Sequence, residues 1–155
     1  MAKDILARTK ARAEKLTRPP LVVALTVSDT PVTRSYLAIK KKRATDAGCI
    51  LEIIHIKSFI RPWETIDMIR NTDADAIIVQ LPLPAGVNQK EVCDAIPVSK
   101  DADVLSTAAR AEFEMKGLVN LSLMPPVVGA VREILKYGNI EIRGKKAVVI
   151  GNGWL

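Results

Sequence analysis

The chain has 155 residues, enough for one ordinary domain or for one domain and part of another. Apolar residues make up 48% and charged residues 26%, which excludes a disordered, fibrous or low-complexity chain. Lys and Arg number 23 against 17 Asp and Glu, and the resulting formal charge of +6 suits an anionic partner without saying which.

Met1 to Leu16 reads as a helix, with Ile5, Leu6, Ala13 and Leu16 as its apolar positions. Pro19-Pro20 stops it, and Leu21 to Val27 is a short apolar run bounded by breakers, the pattern of a strand buried on both faces. Asp29 or Thr30 caps the next helix, with Pro31 in its first turn, and the helix runs to about Ala47 and ends at Gly48. Ile50 to Ile56 is a second strand, Pro62 to about Asn71 a helix, and Ala76 to Gln80 a third strand. Asn88 to Ile96 makes a short helix and Asp101 to Ser106 a short extended piece or loop. A helix from about Val127 to Tyr137 leads through Gly138 and Arg143-Gly144 into a last strand, Lys146 to Ile150. Strand alternating with helix gives an α/β fold: a parallel sheet between two helical layers.

The last strand runs into Gly151-Asn-Gly153, the way a dinucleotide-binding unit opens, with glycines letting the backbone approach a pyrophosphate. The expected organisation is therefore one α/β domain over residues 1–123. Residues 124–155 follow as a linker helix and the first strand of an incomplete Rossmann-type domain. Leu21 to Val27 is too short to span a bilayer, and Met1-Ala2-Lys3-Asp4 opens no signal peptide. Cys49 and Cys93 stand apart and His55 is the single histidine, so no metal site is expected, and reduced thiols suit the cytoplasm.

Ligands of open parallel sheets sit beyond the carboxyl ends of the strands, which collects the candidate residues. Tyr36 and Lys40 lie four apart, on one helix face; the lysine either loses water against the tyrosine and serves as a proton donor or acceptor, or snorkels into solvent. Lys41, Lys42 and Arg43 read as a solvated face. Gln80 closes an apolar strand and is held by the prolines after it, so it orients a neighbour or caps the turn. Asp101 and Asp103 alternate, one pointing inward and one outward, with a turn aspartate bonded to its own backbone as the plain alternative. His55 reads as a strand residue at the sheet edge and Trp63 as packing near the start of its helix. The basic residues are scattered and aromatics are only 4%, which disfavours nucleic acid.

These segments together resemble one family. Val27-Ser-Asp-Thr-Pro-Val-Thr-Arg-Ser-Tyr36-Leu-Ala-Ile-Lys40 is similar to the Tyr-x-x-x-Lys signature of methylenetetrahydrofolate dehydrogenase/cyclohydrolases. Ile78-Val-Gln80-Leu-Pro-Leu-Pro84 matches that family's Val-Gln-Leu-Pro-Leu-Pro motif. Ala95-Ile-Pro-Val-Ser-Lys-Asp101-Ala-Asp103 looks like its Lys-Asp-Val-Asp-Gly segment, and Gly138 to Gly151 looks like its approach to the cofactor domain. The resemblance implies oxidation of 5,10-methylenetetrahydrofolate with NADP, or NAD, and hydrolysis of the methenyl product to 10-formyltetrahydrofolate. It implies that Lys40 is catalytic, that Gln80 holds and tunes it, that Tyr36 stacks on the folate and that Asp103 grips the pterin. Gly151 and Gly153 would lie in the cofactor's phosphate loop. A cytoplasmic homodimer supplying purine biosynthesis, with no nucleic-acid or membrane partner, follows from the same resemblance. Four segments depart from the family: Asp103-Val104 replaces Asp-Gly, the Asn and Gly that follow have no clear counterpart in Ser106 to Glu112, Met124-Pro-Pro-Val-Val-Gly129 replaces Pro-Cys-Thr-Pro-x-Gly, and Gly153 stands where serine is frequent. The rival readings are a non-catalytic binding or assembly module of the same fold and a basic nucleic-acid-binding domain.

Overall fold

The structure, a computed structural model, describes residues 1–27, 29–56, 61–116 and 123–151. Its framework is a parallel sheet of three strands, β1 (Leu21–Thr26), β2 (Ile50–His55) and β3 (Ala76–Gln80), in the order β2-β1-β3. Helices α1 (Ala2–Ala13), α2 (Pro31–Asp46), α3 (Pro62–Asn71), α4 (Gln89–Asp94), α5 (Thr107–Lys116) and α6 (Pro126–Tyr137) complete it, with one 3-10 turn at Val98–Lys100. The chain divides into two compact units, Met1–Pro125 and Pro126–Leu155.

The apolar runs of β1 and β3 are continuous because both faces of the sheet are covered. Val23, Leu25, Ile77 and Val79 point to one side and pack with Ile69 of α3 and Val92 of α4. Ala24 and Ile78 point to the other and pack with Leu37 of α2 and Leu51. The expected three-layer α/β architecture is therefore present, and the register puts the carboxyl ends of the strands in one row, His55 beside Thr26 beside Gln80.

Local signals set the helix ends. Thr30, not Asp29, caps α2: its Oγ1 accepts the Thr33 N–H at 3.1 Å, and Pro31 fills the first helical position. Asp29 instead accepts from Arg34, through its backbone carbonyl at 2.8 Å and its carboxylate at 3.0 Å. Asn88 caps α4.

Three expectations need correction. A helix, α5, stands at Thr107–Lys116 where none was anticipated; Ser106 Oγ accepts the Ala109 N–H at 3.2 Å and opens it. Residues 146–150 form no strand, because they pair with no other described segment, and a strand exists only as part of a ladder. Val148, Val149 and Ile150 are accordingly exposed. Trp63, at the second position of α3, is 59% exposed and so does not pack into the core.

Candidate functional site

The site assembles at the carboxyl edge of the sheet, on the side covered by α2. Side chains alternate along β3, so Gln80 follows Ile78 onto the face that meets α2. On α2, ahead of Asp46 at its end, the less exposed positions are Thr33, Leu37, Lys40 and Ala44, a stripe at helical spacing turned to the sheet. Lys40 is the one cation in that stripe. Lys42 and Arg43 lie outside it, exposed and paired with Asp46 at 3.1 and 3.2 Å.

Lys40 Nζ donates to Gln80 Oε1 at 3.4 Å and lies 3.9 Å from Asp103 Oδ2. It also sits 4.9 Å from the centroid of the Tyr36 ring, one turn back on the same helix, a cation–π distance. Gln80 is itself oriented: its Nε2 donates to the Leu81 carbonyl at 2.9 Å, which leaves the amide oxygen facing the lysine. The structure thus brings together Tyr36, Lys40, Gln80 and Asp103 from three separate stretches of chain. Tyr36 is half exposed, which leaves part of the side chain accessible to a ligand.

The two aspartates of the 101–106 turn do not divide simply into one in the cleft and one out: Asp103 faces the cleft, but Asp101 is the buried turn aspartate bonded to its own backbone. Asp101 points inward, 3% exposed, and accepts the backbone N–H of Leu105 at 3.0 Å and of Ser106 at 2.8 Å. Asp103 faces Lys40. Burial holds its carboxyl above the usual carboxylate value, Lys40 pulls it down, and the neighbouring charge of Asp101 pushes it up. Val104 next to it has φ +56°, the left-handed region that a β-branched residue rarely enters. Both the buried clamp at Asp101 and the strain at Val104 go beyond what spacing alone indicates. The signal for the latter is the valine standing where the resemblance has glycine.

Chemically, the cluster offers an ammonium that can hold or release a proton, a carboxylate that can accept from an amino-substituted heterocycle, and an aromatic face for stacking. Gly151 has φ +120°, a conformation that favours glycine, with no atom within 4 Å of where a Cβ would sit; Gly153 lies outside the described residues. Among the described residues no three His, Cys, Asp or Glu gather as a metal site, and no helix is long and apolar enough to cross a membrane.

Comparison with known proteins adds an independent line. A family model described as tetrahydrofolate dehydrogenase/cyclohydrolase, catalytic domain, matches residues 1–103. The bifunctional protein FolD of Malacoplasma penetrans is 32% identical over 164 residues, taking in 100% of this chain and 57% of that protein. In three dimensions the FolD methylenetetrahydrofolate dehydrogenase/cyclohydrolase of Campylobacter jejuni aligns with a TM-score of 0.84 at 25% identity, over 98% of this chain and 55% of its own. The corresponding enzyme of Trypanosoma brucei, solved with NADP and an inhibitor, aligns with a TM-score of 0.84 over 99% of this chain and 54% of its own; at 24% identity it attests the fold. The chain spans about half the length of the relatives it matches.

Proposed function

This chain belongs to the tetrahydrofolate dehydrogenase/cyclohydrolase family, and we propose that its sheet edge holds one-carbon derivatives of tetrahydrofolate as the catalytic domain of such an enzyme. The reactions are oxidation of 5,10-methylenetetrahydrofolate and hydrolysis of the 5,10-methenyl product to 10-formyltetrahydrofolate. The observation that carries the reading is the convergence of Gln80 Oε1, Asp103 and the Tyr36 ring on Lys40 Nζ.

In hydrolysis, water adds to the cationic carbon bridging N5 and N10 and gives up a proton. The carbon–N5 bond then breaks as N5 takes a proton, and the formyl group stays on N10. Lys40 is the group placed to carry that proton. Gln80, its amide fixed by Leu81, keeps the Lys40 amine aimed at the reacting carbon. Tyr36 stacks on the folate ring, and Asp103 accepts from the pterin's amino-substituted edge.

The hydride acceptor in this reading is NADP, with NAD second, and when bound it supplies the oxidation. The positive φ of Gly151 fits a backbone that a phosphate approaches closely, and Gly153 is assigned to the same turn. The division into a folate-binding domain over residues 1–123 and the start of a cofactor domain over residues 124–155 belongs to the same proposal. So do a cytoplasmic location, a homodimer, a role in supplying purine biosynthesis, and the absence of nucleic-acid and membrane partners.

Binding only to the native state raises its melting temperature, by about 2.7 kcal/mol of stability at a ligand concentration 100 times Kd. Tetrahydrofolate is expected to raise the melting temperature of this protein, and a single-stranded oligonucleotide to leave it unchanged. An oligonucleotide shift without a tetrahydrofolate shift would replace this reading with that of a basic nucleic-acid-binding domain.

A further inference from the structure

We propose that Asp101 is a positioning residue: by clamping the 101–106 turn from inside, it aims Asp103 at Lys40. The inference deepens the reading of the site given above and rests on it only for its consequence in folate binding.

The turn is fixed at both ends. At its start Asp101 bridges Ile77 of β3 in parallel, which ties the turn to the sheet. At its end Thr107 is bound to Asp94, its N–H at 2.6 Å and its hydroxyl at 3.1 Å. Between these anchors the buried Asp101 carboxylate takes two backbone N–H groups, Leu105 on one oxygen and Ser106 on the other. Such charge-assisted bonds are strong and directional. They close a ring around Val104, whose φ of +56° is unfavourable for a β-branched side chain and persists only where the surroundings over-determine it. Asp103 is the residue just before the strained one, so its direction depends on the Val104 backbone staying where it is. Release of the clamp lets Val104 relax toward ordinary φ, turns the adjoining peptide, and carries the Asp103 carboxylate off Lys40. The charge of Asp101 acts in the same place, pushing the Asp103 carboxyl upward.

The experiment is a pair of mutant cycles on the full chain. In the first, the titration of the Asp103 carboxyl is followed by carbon NMR with and without Lys40→Met. In the otherwise wild-type protein Lys40→Met is expected to raise the Asp103 midpoint, because the facing cation is gone. In Asp101→Asn the same change is expected to leave the midpoint where it was, because the pair is already separated. A shift of equal size in both backgrounds overturns the proposal. In the second cycle Asp101→Asn is expected to weaken tetrahydrofolate binding by about tenfold or more. In an Asp103→Ala background the further loss is expected to stay below about twofold. Equal losses in both backgrounds mean that Asp101 supports the fold and nothing more. If the wild-type protein binds no tetrahydrofolate, the folate reading fails while the NMR cycle still decides this one. Should Asp101→Asn not fold, both cycles are run in Asp101→Asn/Val104→Gly, where glycine takes the positive φ without a clamp and the Lys40–Asp103 pair is expected back. A double variant that stays unfolded, or folds without that pair, also counts against the proposal.

Discussion

Lys40 shows how far single residues are legible. Its spacing from Tyr36 puts the two on one helix face whatever else the chain does, and the structure has them in cation–π contact. Spacing does not choose between a site lysine and a solvated one, since exposed pairs of this kind are common. The choice lies in the stripe Thr33, Leu37, Lys40, Ala44, which is written in the sequence but becomes meaningful only once Leu37 and Ala44 are seen packing on the sheet. Gln80 follows the same logic, its side fixed by the alternation along β3. The loop aspartates are harder, because no periodicity governs a turn and only the structure assigns burial to Asp101 and the lysine to Asp103. The Asp103 carboxyl is held above its ordinary 3.8 in the fold. Its contribution to stability is therefore present below that value and lost as pH rises through the higher folded value. Asp103→Asn is expected to unfold at a higher denaturant concentration than wild type near neutral pH, with the gap closing below about pH 3.8; a gap that stays constant with pH contradicts the assignment. In the proposed mechanism Gln80→Ala removes an orienting partner and leaves Lys40 in place, so it is expected to lower methenyl-tetrahydrofolate hydrolysis by about tenfold, less than Lys40→Arg does.

At the scale of elements, the strands and α2 were legible because their breakers and caps act locally. Pro19-Pro20, the Thr30-Pro31 pair and Gly48 each do one steric job. Gly48 has φ +78° and ends α2 with the Gly48 N–H on the Thr45 carbonyl and the Cys49 N–H on that of Ala44. A Cβ there would also sit 3.3 Å from the Cβ of Ala13 on α1. Gly48→Ala is expected to cost about 1–2 kcal/mol in urea unfolding; an unchanged midpoint would mean that the turn is not held in that conformation. The same motif closes α6 with Asn139, not Gly138, at positive φ, since asparagine also tolerates this region. Helix α5 was readable in principle from Ser106 as a cap ahead of Ala, Glu, Met and Lys, all good helix formers. Its apolar positions are sparse, so periodicity gives it little weight. Residues 146–150 show the opposite failure: β-branched and apolar by composition, they form no strand because composition does not supply a partner.

For the molecule as a whole, covering both faces of the sheet leaves its carboxyl edge as the place where the strands end in polar groups, Thr26, His55 and Gln80, beside a helix that offers a lysine. The net charge of +6 identified no partner, because charge acts at long range and does not distinguish a folate's carboxylates from any other anion. The proposed hydrolysis of methenyl-tetrahydrofolate through Lys40 is tested by the rate of that hydrolysis in wild type against Lys40→Arg. Arginine keeps the positive charge beside Asp103 and Gln80 but cannot give up its proton at working pH. A loss of about 10²–10⁴ in rate is expected, with tetrahydrofolate still raising the melting temperature of the variant. Near-normal turnover in Lys40→Arg would contradict the proposal and leave Lys40 as a charged neighbour of the site with no part in moving the proton.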